Sequence, residues 1–305
     1  GPWLKRYIRI FFNRYKTINQ AFRKYKINKV SIGNYENYDF TTRDTSEIYR
    51  ASIFPEWDYM FYSRLIGEIS SKKVEKKTSI SKNEFNNNFK KNKETKDYFS
   101  IHKVFAILSK LLSPFQKKNY VFIKESYLRL VNDFYLQIKL KQIPSYWERE
   151  EIEYPKKNSL LRKKIKIKYM PKTAFEKLLK KYVTSDLPIY AIEGLKLIQA
   201  KVKNLQWPKK PKLIYTANSF ALDEVFKFYL AFNIDQGCKY FAGQHGNSYG
   251  TRFSHDYSIE HLTCDKFFTW GHKFKKKDVK FANFGPGINI SNFNPQGKLL
   301  MINRV

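Results

Sequence analysis

The chain has 305 residues, with 58 Lys+Arg against 27 Asp+Glu and a formal charge of +31. Its 42% hydrophobic and 17% aromatic content can fill real cores, which excludes global disorder, and no window of about 18 uncharged apolar residues could span a bilayer. Two cysteines, Cys238 and Cys264, exclude a disulfide scaffold and fit a reducing compartment.

The basic residues are 46 Lys and only 12 Arg. Readers of base edges favour the planar, bidentate guanidinium of Arg. An anionic membrane surface or an anionic substrate fits such a charge as well as nucleic acid does. Residues 1–30 carry nine basic residues and no acid. Trp3, Leu4, Tyr7, Ile8, Phe11, Phe12, Tyr15, Ile18 and Phe22 recur at helical spacing. That pattern predicts an amphipathic helix, read either as a core helix with a solvated basic face or as a membrane-surface helix. Residues 71–97 are Lys- and Asn-rich and read as a flexible insertion without chemistry. Residues 99–112 and 120–142 read as helices. Lys164 to Tyr169 alternates strictly, predicting a strand with one basic face.

From residue 187 the texture changes. Eight of twelve glycines and four of five histidines fall in residues 237–305. Residues 212–216 read as a buried strand ending in Ala217-Asn218-Ser219, followed by a helix from about Ala221 to Asn233. Further strands are expected at 239–242, 266–270 and 279–284. Strands and helices alternating across short turns predict a parallel α/β sheet. Ligands in such sheets sit at the carboxyl ends of the strands, where Asn218, His245 and Trp270 all fall.

Gly243-Gln244-His245-Gly246-Asn247-Ser248-Tyr249-Gly250 is the strongest local signal. Its glycines, Gly246 among them, permit close backbone approach to a ligand, and the imidazole can act as a general base or donate to an anionic oxygen. It has neither P-loop nor GxGxxG spacing. His245, His255, His261, Cys264 and His272 crowd 28 residues, but their intervals match no standard zinc pattern, so no metal is expected. Glu260 reads equally as a solvated helix charge or as a second acid/base group. His255 and Asp256 lie on a loop that can reach a substrate.

At this point the residues resemble a family of bacterial surface-polysaccharide glycosyltransferases of the GT-B kind. Some of its members use CMP-activated nonulosonic acids such as pseudaminic acid. The matching stretches are Leu187-Pro188 with Glu193-Gly194, and Tyr215-Thr216-Ala217-Asn218 with Asp223-Glu224 and Phe226-Lys227. They continue with Gly243-Gln244-His245-Gly246, Tyr249-Gly250, and Cys264 to Gly271. Asn247-Ser248 depart from the pattern, standing where more glycine is expected. Gly1-Pro2-Trp3-Leu4 is similar to a helix start that lies well inside the family's chains. The resemblance therefore implies a missing N-terminal stretch.

The resemblance implies a Rossmann-like GT-B fold. Residues 1–290 would form the N-terminal acceptor-side domain with helical additions. Residues 291–305 would form a linker and the first strand of a C-terminal nucleotide-sugar domain. It implies transfer of a pseudaminic, sialic or Kdo-like sugar from a CMP donor to a surface glycan acceptor, without metal or cofactor, in the bacterial cytoplasm. The enzyme would sit peripherally at the inner face of the membrane, in contact with anionic lipid. His245 would be general base or acceptor-site organiser, with Glu260 the competing candidate. Asn218 and Gln244 would bind substrate hydroxyls, Gly246 and Asn247 would also bind substrate, and Tyr249 and Trp270 would form a sugar platform. Arg252 or Lys227 would pair with the sugar carboxylate or phosphate, and His255 would reach the substrate. The alternative is a basic protein that binds nucleic acid or another polyanion without catalysis, although no nucleic-acid-binding signature accompanies the charge.

Overall fold

The computed structural model describes residues 1–70, 73–77, 101–116, 120–246, 249, 258–281 and 296. Helix α1 (Pro2–Lys24) opens the chain, with Pro2 in the first turn, where a missing N–H costs no helical bond. Trp3, Tyr7, Ile10, Phe11 and Ile18 make one buried stripe, so the basic residues are left on the outer face. The helix takes in all the apolar positions from Trp3 to Phe22 and ends at Lys24. Tyr25 is extended, and Lys29–Gly33 forms strand β1. Strand β2 (Lys73–Lys77), inside the stretch read as an insertion, pairs with β1 in parallel. The rest of residues 71–97 lies outside the described residues.

Helices α2 (Thr45–Ala51), α3 (Pro55–Ile69) and α4 (Ile101–Leu112) follow. The helix expected over 120–142 is instead strand β3 (Val121–Lys124) and helix α5 (Leu130–Lys139). A short apolar run buried on both faces carries no period that separates strand from helix. Helices α6 (Ser159–Lys163), α7 (Ala174–Asp186) and α8 (Leu195–Lys203) come next. No strand forms at Lys164 to Tyr169. Ile165 and Ile167 are half-buried between exposed lysines, so the alternation is real, but no neighbouring strand pairs with it.

The remainder alternates as expected. Strand β4 (Leu213–Thr216) leads to the short helix α9 (Ser219–Leu222) and to α10 (Glu224–Asp235). Asp223 separates these helices because its carboxylate caps α10, accepting from the Phe226 N–H at 2.9 Å. Gly237, at φ +88°, turns the chain into β5 (Lys239–Gly243). Helix α11 (Ile259–Thr263), β6 (Lys266–Thr269) and β7 (Asp278–Lys280) complete the described elements. The five strands β3 to β7 lie in sequence order in one all-parallel sheet, compatible with a Rossmann-like fold. Among the described residues, no helix is long and apolar enough to cross a membrane.

Two apolar cores result. One packs Phe122, Ile214, Tyr240 and Phe267 of the sheet against Val225, Phe226 and Tyr229 of α10. The other joins Trp3, Tyr7 and Phe11 of α1 to Trp57, Phe61 and Leu65 of α3 and Val183 of α7. A buried ion pair sits inside this second core. The Arg64 guanidinium lies 2.7 Å from the Asp186 carboxylate and within 3.9–4.7 Å of the Phe40, Tyr182 and Phe61 ring centres. Tyr7 donates its hydroxyl to the same carboxylate at 2.7 Å. Burial alone would lower the Arg64 pKa, but Asp186 and Tyr7 raise it above the ordinary arginine value.

Removing one partner of such a pair strands a charge in the core. Asp186→Ala should therefore cost about 3–5 kcal/mol in chemical denaturation. Tyr7→Phe should cost about 1 kcal/mol, the worth of one hydrogen bond. A loss for Asp186→Ala no larger than that for Tyr7→Phe would contradict this account.

Candidate functional site

Parallel pairing sends the carboxyl ends of β3, β4, β5 and β6 to one edge of the sheet. Glu125 to Tyr127 leave β3, Asn218 follows β4, Gln244-His245-Gly246 follow β5, and Trp270 follows β6. The edge predicted to unite Asn218, His245 and Trp270 does so. At the end of β5 the Gly243 backbone lies close against the Tyr215 side chain, so a Cβ there would force that ring to shift.

His245 is half-buried and oriented through Tyr249. Its Nδ1 lies 2.9 Å from the Tyr249 hydroxyl, which donates to Glu260 Oε1 at 2.6 Å. Burial, and then the Glu260 carboxylate, push the Tyr249 pKa far up, so the phenol keeps its proton. A phenol has one proton, and here it goes to Glu260. The Tyr249 oxygen therefore accepts from His245 Nδ1–H, which makes Nε2 the ring's acceptor nitrogen. The two competing acid/base candidates thus belong to one chain, His245–Tyr249–Glu260. Tyr249 is buried and packed 5.3 Å from the Phe267 ring, which fixes the chain's middle member.

Gln244 anchors the loop. Its buried side-chain amide donates to the Gly246 carbonyl at 2.7 Å and accepts from the Trp270 N–H at 2.9 Å. Both ends thus hold backbone and tie the turn after β5 to the end of β6. Asn218 is half-buried at the N-cap position of α9, with its own N–H donated to Thr216 Oγ1 at 3.2 Å. Lys227 lies one turn into α10, 2.8 Å from Glu224 Oε2 and 3.2 Å from Thr45 Oγ1. Burial lowers its pKa, and Glu224 partly restores it. Asn247, Arg252, His255 and Asp256 lie outside the described residues.

Four residues escape sequence reasoning. Tyr127 stacks on His245 at 6.4 Å between ring centres, and both it and Glu125 have left-handed φ, 64° and 50°. Lys124 is fully buried, donating to the Trp147 carbonyl at 2.8 Å and lying 3.5 Å from Asp223. All belong to or follow β3, and reading that run as helix conceals them. Lys5 of α1 lies within electrostatic reach of Glu260. Burial lowers its pKa, and Glu260 partly offsets the shift. No local motif marks it.

Among the described residues, no three His, Cys, Asp or Glu side chains group as metal ligands. His261 Nε2 instead lies 2.7 Å from Asp278 Oδ1, while Asp278 Oδ2 accepts from the Phe274 and Lys275 N–H groups. Both cysteines are buried, and burial pushes their thiols up to about 11. Asp278 is also pushed up by burial, but the bonds from His261 and the two backbone amides hold it below its ordinary 3.8. A carboxyl depressed in the fold contributes stability above its unfolded pKa, and that stability disappears as pH falls through the folded one. Urea titrations from about pH 6 to about pH 2 should show a smaller acid-induced loss for Asp278→Asn than for the native chain. Parallel curves would refute the linkage.

The chain matches no curated protein and no solved structure. A profile described as LIC12162 family transferase matches residues 1–303, nearly the whole chain. That coverage takes in α1, the sheet and the His245 loop together. The chain belongs to the LIC12162 transferase family.

Proposed function

We propose that this transferase is a glycosyltransferase of the GT-B kind, moving a pseudaminic, sialic or Kdo-like nonulosonic acid from a CMP donor to a bacterial surface glycan. The observation that carries the reading is the orientation of His245 by Tyr249 and Glu260 at the carboxyl edge of a parallel sheet. In the proposed step, Nε2 takes the proton of an acceptor hydroxyl as that oxygen bonds to the anomeric C2. The bond from C2 to the phosphate oxygen breaks, and its electron pair leaves with CMP. The imidazole becomes cationic, and Glu260 stabilises it from two hydrogen bonds away, the role a carboxylate plays behind a catalytic histidine.

Asn218 is the candidate ligand for sugar hydroxyls, Tyr127 offers aromatic surface beside the His245 ring, and Trp270 is the proposed sugar platform. Gln244, whose amide holds backbone at both ends, acts by positioning the loop. Arg252 is proposed to pair with the sugar carboxylate or phosphate, and His255 to reach the substrate. Lys227 would join them only by leaving Glu224. The step is written without a metal ion. The enzyme is placed in the bacterial cytoplasm, peripheral at the inner face of the membrane.

The test is CMP release from CMP-sugars in the presence of a glycan acceptor. His245→Ala should lower turnover by about 10²–10⁴-fold, the usual contribution of a positioned base. Tyr249→Phe breaks the link to Glu260 while keeping the ring, and should cost roughly tenfold. Near-normal CMP release by a folded His245→Ala protein would sink the assignment.

A further inference from the structure

Helices α4 and α5 are amphipathic in the reverse sense. On α4 the buried side chains are Ala106 and Ser109, while Ile101, Ile107, Leu108, Leu111 and Leu112 are exposed. On α5 the buried side chain is Gln137, while Val131, Tyr135, Leu136 and Ile138 are exposed. Exposure reaches 65% at Leu111, 77% at Val131 and 73% at Phe115, in the short turn after α4. The Phe105 and Phe134 rings meet edge-on at 4.9 Å, so the two helices touch through these side chains.

The inward polar groups are bonded, so the helices cannot simply turn over. Ser109 Oγ accepts from the Tyr146 N–H at 2.7 Å. Gln137 donates to Asp133 and to the Ser145 carbonyl, and accepts from the Ser145 N–H. Rotating either helix to bury its exposed apolar side chains would leave those groups buried without their partners, which is unfavourable. The outward apolar surface is thus built in. Exposed apolar side chains held outward in this number are what an interaction site presents.

Charge selects the occupant. Across residues 101–116 and 129–142 the only acid is Asp133, and it is hydrogen-bonded to Ser126 and Gln137. Lys139 and Lys141 are exposed along α5 and beyond its end, on a chain of net charge +31. A second copy would bring the same cations to the rim, whereas an anionic bilayer brings the complement. We propose that the α4–α5 face docks on an anionic lipid bilayer. Leu111, Phe115 and Val131 enter the boundary between headgroups and acyl chains, while Lys139 and Lys141 meet lipid phosphates. Helix α1, the basic helix of the N-terminus, spends its apolar stripe on the protein core. The proposal gives a surface to the membrane placement above but does not rest on the transfer chemistry. Its test reads no turnover, so the two fail separately.

Co-sedimentation of the full chain with vesicles of phosphatidylglycerol in phosphatidylcholine should capture it. Vesicles of phosphatidylcholine alone should bind it at least about tenfold less. Leu111→Ser combined with Val131→Ser should weaken anionic binding by about tenfold or more, with the circular dichroism spectrum preserved. Lys139→Ala combined with Lys141→Ala alters only exposed positions, and should weaken binding by about tenfold and flatten its salt dependence. Failure of the native chain to bind anionic vesicles, or native-like binding by either folded double variant, overturns the proposal. So does a dimer in light scattering that Leu111→Ser with Val131→Ser splits, because the face would then be covered by a second copy.

Discussion

Parallel pairing of β4, β5 and β6 is the constraint on which the site depends. Antiparallel neighbours would send alternate loops to opposite edges, while parallel neighbours send all of them to one. The register sets Thr216 opposite Ala242 and Gly243 opposite Phe268, so the residues just past each strand end fall beside one another. Strands of four or five residues leave little ladder to hold the loops that follow. Gln244 makes up part of that deficit by clasping Gly246 and the start of the loop after β6. The catalytic proposal for His245 therefore rests on a neighbour whose polar groups are bonded to backbone.

The two cores are joined by polar contacts as well as by packing. Glu224 accepts from the Thr45 N–H at 3.0 Å and pairs with Lys227, which reaches back to Thr45. Within the helical layer itself, Trp3 of α1 donates to Thr42 Oγ1 at 2.8 Å, and the Thr42 carbonyl accepts from the Ile189 N–H. Hydrogen bonds of this kind are directional, so they fix how the helical layer sits on the sheet. Lys124 does the same inside the sheet, tying the end of β3 to the cap of α10 through Asp223.

Much of the sheet is legible in the sequence, and the reasons are local. Residues 212–216, 239–242 and 266–270 are short apolar runs bounded by Gly, Asn or Asp, and each holds a strand. Residues 121–124 are just as apolar but lie among helix formers, so neither period nor punctuation separates them. The edge at Asn218, His245 and Trp270 is readable for the same reason as the strands that carry it. The partnership of Glu260 with His245 is not, because a tyrosine mediates it and a tyrosine in a glycine-rich loop reads first as a sugar platform. The roles of Tyr127 and Lys5 depend on where β3 and α1 come to rest, which only tertiary packing decides. The reversed helices α4 and α5 show the opposite failure. Their period is readable, but the side that faces the protein is chosen by Ser109 and Gln137.

The turn after β3 carries one more consequence. Glu125 and Tyr127 both occupy left-handed backbone, which a side chain disfavours by about 1–2 kcal/mol per residue and glycine does not. A redesign aimed only at thermal stability would place glycine at both positions and so delete a carboxylate next to Lys124 and the aromatic ring stacked on His245. The turn therefore separates two optima. A chain ranked by melting temperature alone would drift towards a bare loop here, and that drift could serve as a measure of how much these two side chains contribute to anything other than folding.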